Sequence, residues 1–410
     1  MTSSPTSTPN IQGSIGQGSI GQSAVGRAPG TRDLRLDFFR GLALWFIFID
    51  HIPGNQIAWV TMRNFGLSDA TEVFVFISGY TSSLVYSKIY AVHGWRFATA
   101  KVVHRVWTLY IAYLFLFIAF TAQVAYTARV FNNPLFSEEL GIASFFTDPA
   151  LSLTQALALK FRPANLDILP LYIVLLLSFP LLLPVLRRWP LALLAGSVTL
   201  YAAARGFRWN LPTYPEGGVW FFNPFAWQLL FVLGSTMQRF PEVSTALTRP
   251  RRALLAGSAA YLLAALLLVL SWQIAPLGAV MPTWLADVLY PISKTDLDPL
   301  RLIHFCALAY IVLQVARYDS AWLRSPLLAP VILCGRQSLQ VFCLGIFLSF
   351  AGQTILNQWT NSLFAQFSIT IVGIAMMIAA ARVLTWYQTV DRTPRPPASR
   401  QAAPAKDPSA

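Results

Sequence analysis

Ten apolar stretches, each near the roughly 20 residues that an α-helix needs to cross hydrocarbon, recur along this 410-residue chain. They lie at about 35–51, 73–90, 106–126, 168–186, 191–204, 222–237, 254–274, 300–315, 332–356 and 364–387. The fifth is the shortest, and the ninth is interrupted by Arg336. With 55% hydrophobic and 11% charged residues and a mean hydropathy of +0.54, a soluble globular domain is excluded. The pattern predicts an all-α fold, a polytopic integral membrane bundle of about ten transmembrane helices with membrane lipid as its solvent.

In a soluble protein a net charge of +13 would point to nucleic acid; here the positive-inside rule accounts for it and no nucleic-acid partner is expected. Placing the N-terminus in the cytoplasm puts Lys88, Arg96, Lys101, Arg105, Arg187, Arg188, Arg239, Arg249, Arg251, Arg252, Arg317 and Arg324 on the inner side. The outer junctions are longer and gather most of the acids, including Asp69, Glu138, Glu139, Asp148, Asp287, Asp296 and Asp298. Both termini are therefore expected to be cytoplasmic.

Residues 1–31 are rich in Ser, Thr, Gly, Pro and Gln and repeat the pentad GSIGQ, so a disordered N-terminal tail is expected rather than a cleavable signal. A membrane domain is expected over 32–388 and a second disordered tail over 389–410. No internal repeat is visible across the helices. The segment 151–161 has the pattern of an amphipathic helix lying on the outer surface.

Charge inside an apolar helix marks a site by default, because an ionised group in hydrocarbon costs several kcal/mol. The stretch RLDFFRGLALWFIFIDH, from Arg35 to His51, carries such groups at both ends. Arg40 and His51 are eleven positions apart, which returns to nearly the same helix face about 16 Å along the axis. Asp33 and Asp37 lie seven and three residues before Arg40, where a carboxylate can hold the guanidinium. The bland reading makes Arg40 a cytoplasmic anchor and His51 an interfacial histidine.

Other polar groups fall in or beside the spans. Glu72 opens the second stretch at the level of His51, while Asp50 projects about 100° away from His51 on an ideal helix. Ser78, Gly79, Ser82 and Ser83 read as a helix-packing face. Arg105 begins the third stretch, Asn223, Trp227 and Gln228 fall in the sixth, and Arg336 lies in the first turns of the ninth. His304 reads as a satisfied histidine. Trp209, Tyr214, Trp220, Trp284 and Tyr290 in the outer loops suit sugar stacking or simply the interface. Cys306, Cys334 and Cys343 read as apolar packers, and the four histidines lack metal-ligand spacing, so no metal is expected.

Arginine, ten intervening residues and histidine on a first membrane helix, with Gly41 directly after the arginine, resemble the motif of the membrane acyltransferase-3 superfamily. Within it, RLDFFRGLAL…IDHIPGN and ATEVFVFISGY, from Ala70 to Tyr80, resemble the OpgC family, whose members succinylate osmoregulated periplasmic glucans. The resemblance implies an O-acyltransferase of the bacterial inner membrane that moves an acyl group, succinyl in that family, from cytoplasmic acyl-CoA to hydroxyls of a periplasmic glucan. Acyl-CoA would be a co-substrate, with no permanently bound cofactor. His51 would be the general base, with its other nitrogen held by Glu72 or Asp50. Arg40, Asp37, Arg105 and Arg336 would serve the donor, and Trp284, Trp220 and His304 the acceptor. The alternative is a transporter or flippase of a glucan or lipid-linked sugar with His51 and Glu72 as a proton relay. Oligomeric state is left open.

Overall fold

A computed structural model describes residues 33–392, Asp319 excepted. The two tails expected to be disordered lie outside the described residues, apart from 389–392, which end the last helix.

Each apolar stretch forms helix. Helix α1 is Leu34–Asp50, α2 Ala70–Val130, α3 Ile168–Arg188, α4 Pro190–Gly206 and α5 Pro224–Arg239. They are followed by α6 Arg252–Gln273, α7 Pro299–Val315, α8 Ala329–Arg336, α9 Ser338–Gln358 and α10 Leu363–Arg392. Among the described residues, strand pairing is limited to two isolated bridges, Phe161 with Tyr214 and Pro212 with Val219. The described residues are thus all-helical, and among them five helices, α2, α3, α6, α9 and α10, are long and apolar enough to cross a membrane.

Local chemistry sets the boundaries. Asp69 and Glu72 form a reciprocal capping box at the start of α2, satisfying backbone donors that the first turn leaves open. Asn223 and Asp298 cap α5 and α7, each with proline at the first helical position. The second and third apolar stretches merge into α2, whose one non-helical residue is Gly94 at φ 78°, ψ 176°. The ninth stretch is not one helix: the chain leaves helical geometry at Gln337, so Arg336 ends α8 instead of sitting inside a continuous span. The surface helix expected over 151–161 is Pro149–Leu157; Leu159 adopts φ 59°, and Phe161 turns inward.

Two close helix contacts position the site. A Cβ on Gly41 would overlap the carbonyl of Val331, and one on Gly335 the carbonyl of Asp37, so α1 and α8 touch backbone to backbone. Gly79 and Gly234 do the same for α2 and α5, where Ser235 donates to the Gly79 carbonyl at 3.0 Å and Ser83 to Gln238 at 2.9 Å. The serine- and glycine-rich face of α2 is a packing face, because small residues let dispersion contacts replace a hydrophobic effect that lipid cannot supply.

Candidate active site

At the C-terminal end of α1 a cavity of about 690 Å³ is lined by Asp50 and His51 together with Asp69, Asp167, Lys294 and Arg301. Trp272, Phe221 and Phe222 supply aromatic wall; Asn64, Asn165, Gln273 and Gln353 supply amides. An apolar wall with a few convergent polar groups is the usual form of a small-molecule site.

His51 follows α1 directly. Its Nδ1 lies 2.6 Å from the carbonyl oxygen of Ile47, which can only accept, so Nδ1 carries the proton and Nε2 keeps its lone pair. Enclosure pushes the imidazole below its ordinary range, against the Ile47 hydrogen bond, and the positive charges of Lys294 and Arg63 add to the effect. The ring is therefore neutral near neutral pH, with a free basic nitrogen.

The carboxylate partner anticipated for His51 is engaged elsewhere. Glu72, fully buried, accepts from Arg301 Nε at 2.8 Å and from its Nη2 at 2.6 Å, and its other oxygen takes the Asp69 backbone N–H at 2.9 Å. A backbone carbonyl does the tautomer-fixing that was expected of Glu72. Asp50 accepts from the Thr61 hydroxyl at 2.6 Å and stays on the cavity wall.

A cationic cluster that sequence inspection did not single out faces the same space. Lys294 is 2.5 Å from Asp69, and Arg301 is 3.4 Å from the same oxygen. Burial alone would raise the Asp69 carboxyl, but Lys294 and Arg301 hold it well below the usual carboxylate range. Asp167 is pushed up to about 6 by burial, with Arg162 opposing at 3.7 Å. The intramembrane amides now have a purpose. Asn223 donates to Asp296 at 2.9 Å, Trp227 Nε1 donates to the carbonyls of Lys294 and Thr295 at 3.1 Å each, and Tyr201 donates to Leu297 at 2.7 Å. Together they pin the loop that presents Lys294. Gln228 instead bonds Ser197.

The remaining candidates scatter. Trp220 is buried with the Arg162 guanidinium 4.0 Å from its ring centre, and Trp284 is exposed; neither lines the cavity. His304 is buried behind the cavity wall, its Nδ1 2.7 Å from the Ser68 hydroxyl. Arg40 donates to the Thr81 hydroxyl and to the Ile77 carbonyl at 3.4 Å, tying α1 to α2. Asp37, expected to hold Arg40, reaches Arg336 Nε at 3.5 Å. Arg105 is half-buried on α2 and lines neither this cavity nor the one described next. Arg336 lines a second cavity, of about 470 Å³, which also takes in Leu34 at the other end of α1. No group of three or more His, Cys, Asp or Glu among the described residues is placed to hold a metal ion.

In this all-helical chain, with several helices apolar enough to cross a membrane, α1 thus runs from one cavity, at Leu34, to another, at Asp50 and His51. The chain belongs to the OpgC protein family, which matches it over residues 32–389. Membership implies an acyltransferase-like enzyme of glucan modification in a bacterial membrane. No curated protein and no solved structure matches the chain.

Proposed function

We propose that the protein is a transmembrane O-acyltransferase of the acyltransferase-3 type, in the bacterial inner membrane. It would take an acyl group, succinyl by family likeness, from cytoplasmic acyl-CoA to a hydroxyl of a periplasmic glucan. Ten crossings with both termini inside put the His51 cavity on the periplasmic face. The observation that carries the reading is the His51 ring: Nδ1–H is committed to Ile47 at 2.6 Å, which leaves Nε2 as a base on the wall of a cavity large enough for a sugar residue and an acyl group.

In this mechanism the acceptor hydroxyl binds against the amides and Trp272, and His51 Nε2 takes its proton as the oxygen attacks the thioester carbonyl. The imidazolium formed is steadied through the Ile47 carbonyl. Negative charge developing on the carbonyl oxygen faces Lys294, which is less buried than Arg301, while Arg301 stays bonded to Glu72. Collapse expels the thiolate, which recovers the proton from His51, leaving an ester and free coenzyme A. Asp50 helps shape the acceptor side. Arg40 and Asp37 hold the inner half of α1, Arg336 meets the donor there, and Arg105 adds positive charge to the same side. The pantetheine arm, of order 15–20 Å, spans much of the roughly 24 Å rise from Leu34 to Asp50.

The transporter alternative is disfavoured because Glu72 bonds Arg301 and the Asp69 backbone N–H while His51 Nδ1 bonds the Ile47 carbonyl, so the two groups are not joined as a relay. Incubating the purified protein with acyl-CoA and a soluble glucan, and following ester formation by mass spectrometry, tests the proposal. Glucan that stays unmodified, with coenzyme A giving no thermal stabilisation, would refute it.

A further inference from the structure

The cavity at the Leu34 end of α1 brings together Arg324, Arg336 and Arg382 with Ser325. They come from separate places: the turn before α8, the last residue of α8 and the middle of α10. Arg382 is the only charged residue between Leu363 and Tyr387, a run that reads as membrane helix, and charge in such a position needs a reason. Among the described residues no carboxylate lines this cavity. Asp37 approaches Arg336 from α1 at 3.5 Å, while neither Arg324 nor Arg382 makes an ion pair among the described residues. Two surplus positive charges are thus held in one concavity whose remaining walls include Leu34, Pro326 and Leu333.

Guanidinium groups so confined repel one another unless an anion enters, and apolar walls focus their field into the opening. Planar forks from three directions match the several oxygens of a phosphate better than the single plane of a carboxylate. We propose that Arg324, Arg336 and Arg382 form a binding site for a phosphate group, whether monoester, diester or diphosphate. The inference rests on the reading above in one respect: the phosphates of a coenzyme A donor are one source of such a group. The other is the phosphate of an anionic phospholipid.

The full chain is reconstituted in nanodiscs of phosphatidylcholine, and binding of radiolabelled coenzyme A is measured, with unlabelled pantetheine as the competitor that lacks the nucleotide phosphates. A parallel set of nanodiscs contains phosphatidylglycerol, and lipid retained by the protein is counted by native mass spectrometry. Arg336 is left intact because Asp37 depends on it; the variants are Arg324→Gln/Arg382→Gln and the charge-keeping Arg324→Lys/Arg382→Lys. The Gln pair is expected to weaken coenzyme A at least tenfold with pantetheine competition unchanged, and the Lys pair to fall between. If coenzyme A does not bind the wild type while the Gln pair loses phosphatidylglycerol, the phosphate site stands with lipid as its source and the donor reading falls. If neither ligand's binding changes in the variants, the site is disproved; where the Gln pair does not fold, unaltered binding by the Lys pair decides the same way.

Discussion

The Nδ1 of His51 lies 2.6 Å from the carbonyl oxygen of Ile47, one helical turn earlier on α1, and this contact leaves Nε2 with its lone pair, as the proposed general-base role requires. A backbone acceptor fixes the tautomer as a carboxylate would, without adding negative charge that would raise the ring's affinity for protons.

Replacing His51 with Ala should therefore cut turnover by roughly 10²–10⁴-fold while coenzyme A binding persists, since general-base catalysis contributes about that much. The proposed base works when neutral, and burial lowers its pKa, so turnover should rise with pH through a midpoint below the ordinary imidazole range. A rate profile whose acid limb is centred above pH 7, or near-normal turnover by folded His51→Ala, would exclude His51 as the base.

Asp69 should govern acid stability. Its carboxyl in the folded protein is held below the unfolded value, so it stabilises the fold above about pH 4, and that contribution disappears as pH falls further. Thermal unfolding of wild type and Asp69→Asn, followed from pH 7 to pH 2.5, should show a gap that narrows below pH 4. A constant gap across the range would contradict the pairing with Lys294 and Arg301.

The Arg301–Glu72 pair is a liability when halved. Arg301→Gln takes the cation from fully buried Glu72 and should cost stability, at most about 3–5 kcal/mol, whereas Arg301→Gln with Glu72→Gln removes both charges and should recover much of it. Melting temperatures of both variants in detergent measure the difference; equal losses would show that Glu72 does not depend on Arg301.

Glycines at helix crossings should be intolerant and those facing outward tolerant. Gly79→Val drives a side chain into the Phe231 backbone and should lower yield and melting temperature sharply. Gly257→Ala meets nothing within 4 Å on α6 and should stabilise by about 0.5–1 kcal/mol through the lower entropy cost of alanine in a helix. Comparable behaviour of the two variants would refute the α2–α5 contact.

Topology has its own test. Cysteine introduced at Glu138 should react with an impermeant maleimide from the periplasm, and one introduced at Arg251 should not. Labelling with the opposite pattern would invert the proposed orientation.

Helical class, element positions and the prominence of the 35–51 stretch were legible in the chain because lipid admits so few structures and punishes each charge it meets. Capping is equally local chemistry, although the stretches read from the chain begin at 73, 222 and 300 without it: Asp69 with Glu72, Asn223 with Pro224 and Asp298 with Pro299 mark the helix starts. Which carboxylate meets which cation was not legible. Asp37 pairs with Arg336 and Glu72 with Arg301, partners more than two hundred residues away, because close crossing of α1 with α8 and the fold of the loop before α7 bring them together. Lys294 escaped notice in a long outer loop, where an isolated lysine resembles any solvated one. It acquires meaning only through Asn223, Trp227 and Tyr201, which pin that loop. The chain alone determines where charge enters the membrane region, since transfer cost depends on composition along a helix. Tertiary structure decides what each charge faces, since Coulomb and hydrogen-bond energies depend on distances that only packing sets.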